Sequence, residues 1–259
     1  MNYTMYGEKE KMTIPGTSLK DAKIDPSQPF RCLVHGAPGT RKTTLFGTWP
    51  KPMVVFDFDQ KLKPLYNLPD KENIHVLTYS PMDVGKSSQE YLRFIKDWNE
   101  AKKNPEIKTM VIDGITMLDI LVVRHFVIMS GKEPSTKPTI AIYGEQAETY
   151  NYFFKYMVND ISDKWVFVTA HSDIIIDEKL GVVEQRPIIT GKKFPPKLPA
   201  MFEEVWFTEL EEFGGETVGV LYYKKHRRAI ATSTTMQGEG KIINPSFDKI
   251  MEEIKKGRK

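Results

Sequence analysis

A short glycine-rich stretch near the start of the chain carries the residues best suited to chemistry. It follows an apolar run, Phe30 to Val34, and reads Gly36-Ala37-Pro38-Gly39-Thr40-Arg41-Lys42-Thr43-Thr44. Glycines of this kind let backbone N–H groups converge into a nest for an anion. A lysine ammonium there reaches the outer phosphates of a nucleotide, and a threonine hydroxyl ligates Mg²⁺. The pattern therefore predicts a phosphate cradle over residues 36–44, with ATP and Mg²⁺ as its ligands.

One position of this cradle departs from the usual pattern. Glycine normally precedes the lysine, because it allows the backbone to approach phosphate closely. Arg41 occupies that position here. Two interpretations stay open: Arg41 weakens binding or hydrolysis, or its guanidinium adds a positive charge toward the phosphate.

Carboxylates follow two later apolar runs. Asp113 ends the run that starts at Thr109, and it is suited to hold Mg²⁺ through water, together with the Thr43 hydroxyl. Glycine rather than glutamate follows it, so a catalytic base must come from elsewhere. Asp57 and Asp59 follow the other run, which we expect to lie beside the cradle strand. Either of them can orient a water molecule for attack on the γ-phosphate, or both can merely cap a turn.

Polar residues also follow the apolar run that starts at Trp165. Thr169 and His171 lie at its end. At a strand end next to the cradle, they could sense the γ-phosphate. The alternative is that His171 is a structural residue with its hydrogen bonds satisfied inside the protein.

The remaining elements must bring these groups together. Apolar runs alternate with stretches of helical spacing, which predicts a mainly parallel sheet flanked by helices, with ligands at the carboxyl ends of its strands. Ser87 and Glu90 are spaced as a capping box. A short helix is predicted over Lys42–Gly47, and longer helices begin near Ser87, Met117 and Tyr143, of which the last two end at Met129 and Ile161. The predicted strands are Phe30–Val34, Met53–Phe56, Ile74–Thr78, Thr109–Ile112 and Trp165–Thr169.

In the C-terminal region, the alternation of strands and helices gives way to paired strands. Two antiparallel pairs are predicted, one formed by residues 174–176 and 182–186 and the other by 205–210 and 217–223. Asn244 with Pro245 is expected to cap a last helix. Residues 1–28 are polar and rich in turn signals, so we expect an N-terminal arm followed by a single domain over residues 29–259.

Composition narrows the class of protein. The chain has 259 residues, 40% of them hydrophobic, which is ordinary for a globular domain of this length. No apolar run is long enough to cross a membrane. The single cysteine, Cys32, excludes an internal disulfide. We expect a cytoplasmic protein. The net charge of +3 leaves any nucleic-acid surface to local clustering.

The motifs together resemble the RecA-like P-loop ATPases, and most nearly the phage-encoded members associated with single-strand annealing. The resemblance covers roughly residues 30–247. It rests on the stretches His35–Gly39 with Lys42–Thr44, Lys51–Asp59, Val111–Thr116, Val168–His171 and Leu198–Val205, and Arg41 departs from the pattern. It implies a RecA-like core with C-terminal antiparallel strands, and it assigns the catalytic carboxylate to Asp59. RecA itself has glutamate there. The host cytoplasm is the location that a phage origin implies.

Basic residues suggest partners. Lys224-Lys225-His226-Arg227-Arg228 follows a predicted strand. By the same resemblance, Lys225 and Arg227 would reach the nucleotide of an adjacent subunit in a homo-oligomer and stabilise transition-state charge. The alternatives are contact with DNA phosphates and a solvated strand end. Two lysine-bearing loops, 131–138 and 191–199, could line a single-strand groove, with Phe194 as the aromatic residue for stacking; solvated linkers are the other interpretation.

Several functions fit these features. The first is an ATPase of DNA recombination or annealing that acts on single-stranded DNA, with single-strand-binding or recombination proteins as further partners. The second is a nucleotide-gated binding module with negligible hydrolysis, because Arg41 and the short Asp59 depart from the usual pattern. A helicase loader and a small-molecule kinase are weaker alternatives. The absence of an acid after Asp113 counts against the loader, and the absence of an evident arginine-bearing lid before Trp165 counts against the kinase.

Overall fold

Ten strands form one twisted sheet in this computed structural model, which describes residues 28–177 and 181–256. The arm predicted over residues 1–28 lies outside the described residues except for Gln28. The strands are β1 (Arg31–Gly36), β2 (Met53–Asp57), β3 (Ile74–Thr78), β4 (Thr109–Asp113), β5 (Trp165–Asp177), β6 (Val182–Pro187), β7 (Glu204–Phe213), β8 (Glu216–Tyr222), β9 (Thr232–Ser233) and β10 (Lys241–Ile243).

The sheet order is β10-β8-β7-β1-β5-β4-β2-β3, with β6 paired to β5 and β9 paired to β7. Pairing is parallel from β7 through β1, β5, β4 and β2 to β3, and β8 and β10 pair antiparallel at one edge. This confirms the expected α/β class, with a mainly parallel sheet and C-terminal antiparallel strands. One expectation was wrong: β2 does not lie beside the cradle strand β1, because β5 and β4 separate them.

Among the described residues, five α-helices cover the sheet: α1 (Lys42–Phe46), α2 (Ser87–Lys103), α3 (Ile115–Met129), α4 (Ile140–Tyr152) and α5 (Phe247–Lys256). A π-helical segment, Phe153–Val158, continues α4. Both α3 and α4 begin earlier than periodicity predicted. The helix predicted to end at Ile161 passes into the π segment, where the hydrogen-bond register changes.

Two apolar layers lie on the faces of the sheet. Leu33 and Phe56 point to the layer under α2, α3 and α4. Cys32 and Val34 point to the other face, where Phe46 of α1 and Ile250 of α5 pack. This alternation follows from the period of two in a strand. No helix in the described part of the chain is both long and apolar enough to cross a membrane.

Two predicted helix caps were wrong. The Ser87 hydroxyl donates to the Asp83 carbonyl, and Glu90 accepts from the Ser80 N–H, so no capping box forms. Near α5, the hydroxyl that accepts from the Lys249 N–H belongs to Ser246, two residues after the expected Asn244. The residue types suited a cap in both places, but nearby loops bind these side chains instead.

Both predicted hairpins form. Strands β7 and β8 pair from Phe207–Tyr222 to Phe213–Glu216. Strand β5 merges two predicted strands, since it continues past His171 and pairs with β6 from Ser172–Pro187 onward. The chain between these two strands includes residues 178–180, which lie outside the described residues.

Candidate nucleotide-binding site

The predicted cradle opens into a cavity of about 250 Å³ at the carboxyl ends of the parallel strands. The register brings Gly36 level with His171, and Asp57 level with Asp113. The cavity is lined by residues of the cradle and of three other strand ends: Pro38, Gly39, Thr40, Arg41, Lys42, Thr43, Thr44, Asp59, Lys61, Pro64, Asp113 and His171. Gly36 and Ala37 lead into it from β1. The structure therefore brings together four separately predicted groups of residues.

Lys42 lies at the centre of the cradle and is buried. Its ammonium donates to the carbonyl oxygens of Gly36 and Ala37, each at 2.9 Å. Burial lowers the pKa of Lys42 to about 8, against the opposing attraction of Asp113 and Asp59. An anion such as phosphate would restore the electrostatic partner that burial removes.

Arg41 explains why glycine is usual before the lysine. Its φ is 66°, in the left-handed region that glycine enters without cost. Its guanidinium donates to the Thr217 carbonyl at 2.9 Å and to Asn244 Oδ1 at 3.4 Å. The side chain thus leads toward β8 and the loop before α5. The interpretation in which Arg41 adds charge toward the phosphate finds no support in this conformation.

Asp113 lies beside the cradle with lone pairs to spare. Its Oδ1 accepts from the Thr169 hydroxyl at 2.7 Å, and its Oδ2 lies 3.5 Å from Thr43 Oγ1. Burial raises the pKa of Asp113 to about 7; the Thr169 hydrogen bond opposes this rise, and the charges of Asp59 and Asp57 add to it. Hard oxygen donors beside a phosphate site suit Mg²⁺, which binds one or two protein oxygens and keeps several waters. Thr43 and Asp113 fit the predicted metal site.

Asp57, the last residue of β2, and Asp59, which lies in the turn after it, have different surroundings. Asp57 is buried and accepts from the Gln60 N–H at 2.7 Å, so it holds the turn. Asp59 faces the cavity, and its Oδ2 lies 3.1 Å from His171 Nε2. Although β2 is distant from β1 in the sheet, the turn after it carries Asp59 back over β4.

Gly114 makes this return possible. Its φ is 95°, and a Cβ on it would collide with the Asp59 carboxylate. The acid that is absent after Asp113 in sequence is therefore replaced in space by Asp59. The signal available beforehand was the glycine itself, which sequence reasoning treated only as a missing acid. Lys61 and Pro64 also line the cavity, and no motif pointed to them.

Thr169 and His171 separate in role. The Thr169 hydroxyl donates to Asp113 and accepts from the Gly114 N–H at 2.8 Å, so it fixes the end of β4. His171 lines the cavity; its Nε2 lies 3.1 Å from Asp59 Oδ2, and its buried Nδ1 has no hydrogen-bond partner within the described residues. His171 therefore faces the cavity as a partner of Asp59, whereas Thr169 does not line it.

The basic turn, which we define as Lys224–Arg228, follows β8 and does not line the cavity. Lys224 donates to the Gln237 and Gly238 carbonyls, and His226 lies 3.0 Å from Glu209 Oε1. Lys225, Arg227 and Arg228 are exposed. Arg227 Nη1 lies 3.9 Å from Glu209 Oε2, but its side chain is 75% exposed, so Lys225, Arg227 and Arg228 all remain accessible to a partner. Neither Lys225 nor Arg227 can act on the nucleotide bound by its own chain in this conformation.

The predicted single-strand groove has a different aromatic residue from the one expected. Phe194 is buried and stacks on Tyr150, with ring centroids 5.0 Å apart, so it cannot stack on a base. A groove of about 580 Å³ joins the loop after β6 to the start of α4. Its lining includes Lys192, Lys193, the buried Phe194 and the partly exposed Tyr143, whose ring is the more accessible of the two aromatic rings. Tyr143 was missed because it lies far from these lysines in sequence.

Comparison with known proteins identifies a family. A family model described as AAA domain matches residues 28–242. The chain is similar in structure to a KaiC-like protein of the archaeon Pyrococcus horikoshii OT3, at 14% identity over 84% of this chain and 90% of that chain, with a TM-score of 0.40. It is also similar to the flagellar accessory protein FlaH of Methanocaldococcus jannaschii, at 10% identity over 83% and 88% of the two chains, with a TM-score of 0.41. No curated protein matches the sequence.

Proposed function

The chain belongs to the AAA domain family, and from this premise we propose that it binds ATP with Mg²⁺ and hydrolyses it. The observation that carries this proposal is the convergence of Lys42, Asp59 and Asp113 on one cavity next to a glycine-rich loop. A cation, an acid that can hold the metal and a second acid that can orient a water molecule are what phosphoryl transfer to water requires.

Each residue then has a distinct task. Lys42 leaves its two carbonyl partners to bind the outer phosphates, and Thr43 with Asp113 holds Mg²⁺. Asp59 accepts a proton from the water that attacks the γ-phosphorus, while the bond to the β–γ bridging oxygen breaks. His171 holds Asp59 in place and reaches the γ-phosphate. Bound Mg²⁺ supplies charge neutralisation at the phosphate oxygens.

We assign single-stranded DNA as the macromolecular partner, in recombination or annealing. The groove between α4 and the loop after β6 supports this, because it combines an aromatic ring with exposed lysines, as sequence-tolerant single-strand sites do. The exposed Lys225 and Arg227 support action across a subunit boundary in a homo-oligomer. The phage origin rests only on the resemblance in sequence.

A second candidate is a nucleotide-gated module with negligible hydrolysis. The contact between His171 Nε2 and Asp59 Oδ2 favours it, since one oxygen of the water-orienting carboxylate is already engaged. Aspartate is also one methylene shorter than the glutamate of RecA. In this alternative, ATP binding promotes assembly on DNA and turnover stays negligible.

An ATPase assay with and without single-stranded DNA tests the proposal. We expect turnover that rises with DNA, and its loss in Lys42→Ala, because that lysine provides the charge at the outer phosphates. Lys96→Ala is the matched control, since Lys96 is exposed on α2 and outside the cavity. Unchanged ATP affinity of Lys42→Ala in calorimetry would rule out the cradle. ATP binding without turnover in the wild type would select the second candidate.

The DNA site has its own test. Lys192→Ala with Lys193→Ala should weaken DNA binding and reduce the slope of its salt dependence by about one for each phosphate that is no longer neutralised. Tyr143→Ala should weaken binding by roughly 1–3 kcal/mol per stacked base, with little change in salt dependence. The control pair Lys96→Ala with Lys103→Ala removes the same charge from α2. Equal effects in both pairs would show a general charge effect and exclude the groove.

A further inference from the structure

His35 is a buried polar residue that the proposed reaction does not use. It lies at the end of β1, directly before the cradle, and its side chain is fully buried. Its ring packs against Phe207, with centroids 5.4 Å apart. Both ring nitrogens nevertheless have partners, which are more than a hundred residues away in sequence.

The two partners belong to different functional segments. Nδ1 lies 2.8 Å from the Ser172 hydroxyl, and Ser172 directly follows His171 on β5. Nε2 lies 2.7 Å from the Ile230 carbonyl. Ile230 lies shortly after the last residue of the basic turn, and its N–H also donates to the Gln185 carbonyl of β6. His35 therefore lies on the cradle strand, and its ring connects that strand to the strand of His171 and to the segment that follows the basic turn.

The chemistry of these partners determines the proton positions. A carbonyl oxygen can only accept, so Nε2 must carry a proton and donate to Ile230. Burial lowers the pKa of His35 to about 4, against the Ile230 hydrogen bond, so the ring is neutral at ordinary pH. Nδ1 is then bare and accepts from the Ser172 hydroxyl. One tautomer satisfies both contacts, and its hydrogen bonds have a fixed direction.

Nucleotide binding would change the hydrogen bonding of Gly36, the residue next to His35. In the ligand-free cradle, Lys42 donates to the Gly36 and Ala37 carbonyls. The outer phosphates of ATP require the N–H donors of the same Lys42 ammonium, so ATP binding would leave both carbonyls without this donor. The space beside Gly36 is narrow, because a Cβ on this residue would collide with the carbonyl and hydroxyl oxygens of Thr208. A change in the peptide after His35 is then passed to the His35 ring.

We propose that His35 is a positioning residue that couples the nucleotide cradle to the basic turn. The proposal rests on the proposed nucleotide binding and deepens it. When ATP rearranges the start of the cradle, the hydrogen bond from His35 to Ile230 shifts the exit of the basic turn. The exposed Lys225, Arg227 and Arg228 then change their presentation to a neighbouring subunit or to DNA.

Trypsin supplies a direct readout, because the basic turn contains its cleavage sites. ATP binding is first measured by calorimetry, and cleavage after Lys225, Arg227 and Arg228 is then followed with and without a non-hydrolysable ATP analogue. We expect the analogue to change the cleavage rate in the wild type by about 5-fold or more, the scale of ordinary coupling between sites. Cleavage after Lys132, which is exposed and lies outside the basic turn, is the internal reference.

The decisive variant is His35→Phe, which keeps a ring against Phe207 and removes both hydrogen bonds. We expect it to bind the analogue but to lose the response at the basic turn. His35→Gln keeps an amide donor for the Ile230 carbonyl and should restore part of the response. Ser172→Ala removes one contact, leaves His35 in place and serves if His35→Phe does not fold. It should retain the response, although weakened.

The outcomes separate the hypotheses. If His35 has a purely structural role, His35→Phe will raise cleavage of the basic turn equally with and without the analogue. The response to the analogue then stays intact, and this result would overturn the coupling. Binding of the analogue without any change at the basic turn in the wild type also overturns it. A wild-type chain that binds no nucleotide refutes the proposed function and the coupling together.

Discussion

Two buried aspartates six positions apart differ in what surrounds them. Asp113 and Asp119 are 2% and 1% exposed, so burial does not distinguish them. Asp119 Oδ2 accepts from the Thr190 N–H at 2.7 Å and from its hydroxyl at 2.6 Å, and Oδ1 accepts from Gln146. Asp113 has one short hydrogen bond, from Thr169, and otherwise faces the cavity and Thr43.

This difference separates a structural acid from a functional one. Asp119 on α3 accepts hydrogen bonds from Gln146 on α4 and from Thr190 in the loop after β6. These bonds connect α3 to both segments and occupy the lone pairs of Asp119. Asp113 keeps lone pairs for a ligand and lies near the negative charges of Asp59 and Asp57. A buried carboxylate with unused acceptor capacity next to a cavity is costly unless a cation joins it. Such a residue is a candidate for function.

The largest effect is expected for Asp59, which belongs with Asp113 in this comparison. Asp59→Asn keeps the shape of the side chain and removes its ability to accept a proton. Turnover should fall by about 10²- to 10⁴-fold, with ATP affinity retained. Asp59→Glu is the control, because it keeps the carboxylate at the length found in RecA. Comparable turnover of Asp59→Asn and wild type would remove Asp59 from the reaction.

A stability effect should mark Asp119. Asp119→Ala leaves the donors of Thr190 and Gln146 unpaired inside the protein. We expect a loss of about 2–4 kcal/mol in the free energy of unfolding, since each unsatisfied buried group costs about 1–3 kcal/mol. Urea denaturation measures it. A variant that keeps wild-type stability but loses turnover would reverse the assignment.

A binding effect should mark Asp113. Asp113→Asn should weaken Mg²⁺-dependent ATP affinity by about 10- to 100-fold, the usual cost of losing an outer partner of a bound metal. Affinity measured in chelator should be nearly the same in both proteins. The matched control is Asp119→Asn, whose affinity should stay at the wild-type value. Similar decreases in both variants would show that burial alone determines the effect.

The raised pKa of Asp113 predicts a dependence of stability on pH in Mg²⁺-free buffer. The folded chain keeps the Asp113 proton up to about pH 7, whereas the unfolded chain loses it near the ordinary value of about 4. The folded state therefore binds more protons in this range, and the contribution of Asp113 to stability decreases as pH rises from about 4 to about 7. The difference between wild type and Asp113→Asn, measured by denaturation at each pH, isolates this contribution. A constant difference would contradict the raised pKa.

The smallest effect is expected at Arg41, outside the pair of aspartates but in the same cradle. Arg41→Gly relieves the strain of the left-handed conformation, which costs about 1–2 kcal/mol for a residue with a Cβ. It also removes the hydrogen bond to Thr217, which contributes about 0.5–1.5 kcal/mol. We expect a stability change of no more than about 1 kcal/mol, with turnover maintained or raised. Arg41→Ala removes the bond without relief of strain and should be less stable than Arg41→Gly. A collapse of turnover in Arg41→Gly would make Arg41 a participant in the reaction.

Much of the architecture could be predicted from the order of residues. A strand followed by a glycine loop and Lys42-Thr43 forms from neighbours in sequence, so its elements were predictable. The alternation of strands and helices indicated the α/β class, and both hairpins formed where expected. Asp113 ends its strand as its apolar run predicted. In each of these cases the signal and the structure that it predicts lie within a few residues of each other.

The order of strands and the choice of partners were decided by the tertiary structure alone. Strand β2 lies away from β1, yet its turn brings Asp59 over Gly114, a position that no local pattern contains. The direction of the Arg41 guanidinium, the burial of Phe194 and the two partners of His35 depend in the same way on distant segments. Residue types and spacing report the local conformation of the chain. Which acceptor keeps its lone pairs is determined by the donors that distant strands and loops bring to it.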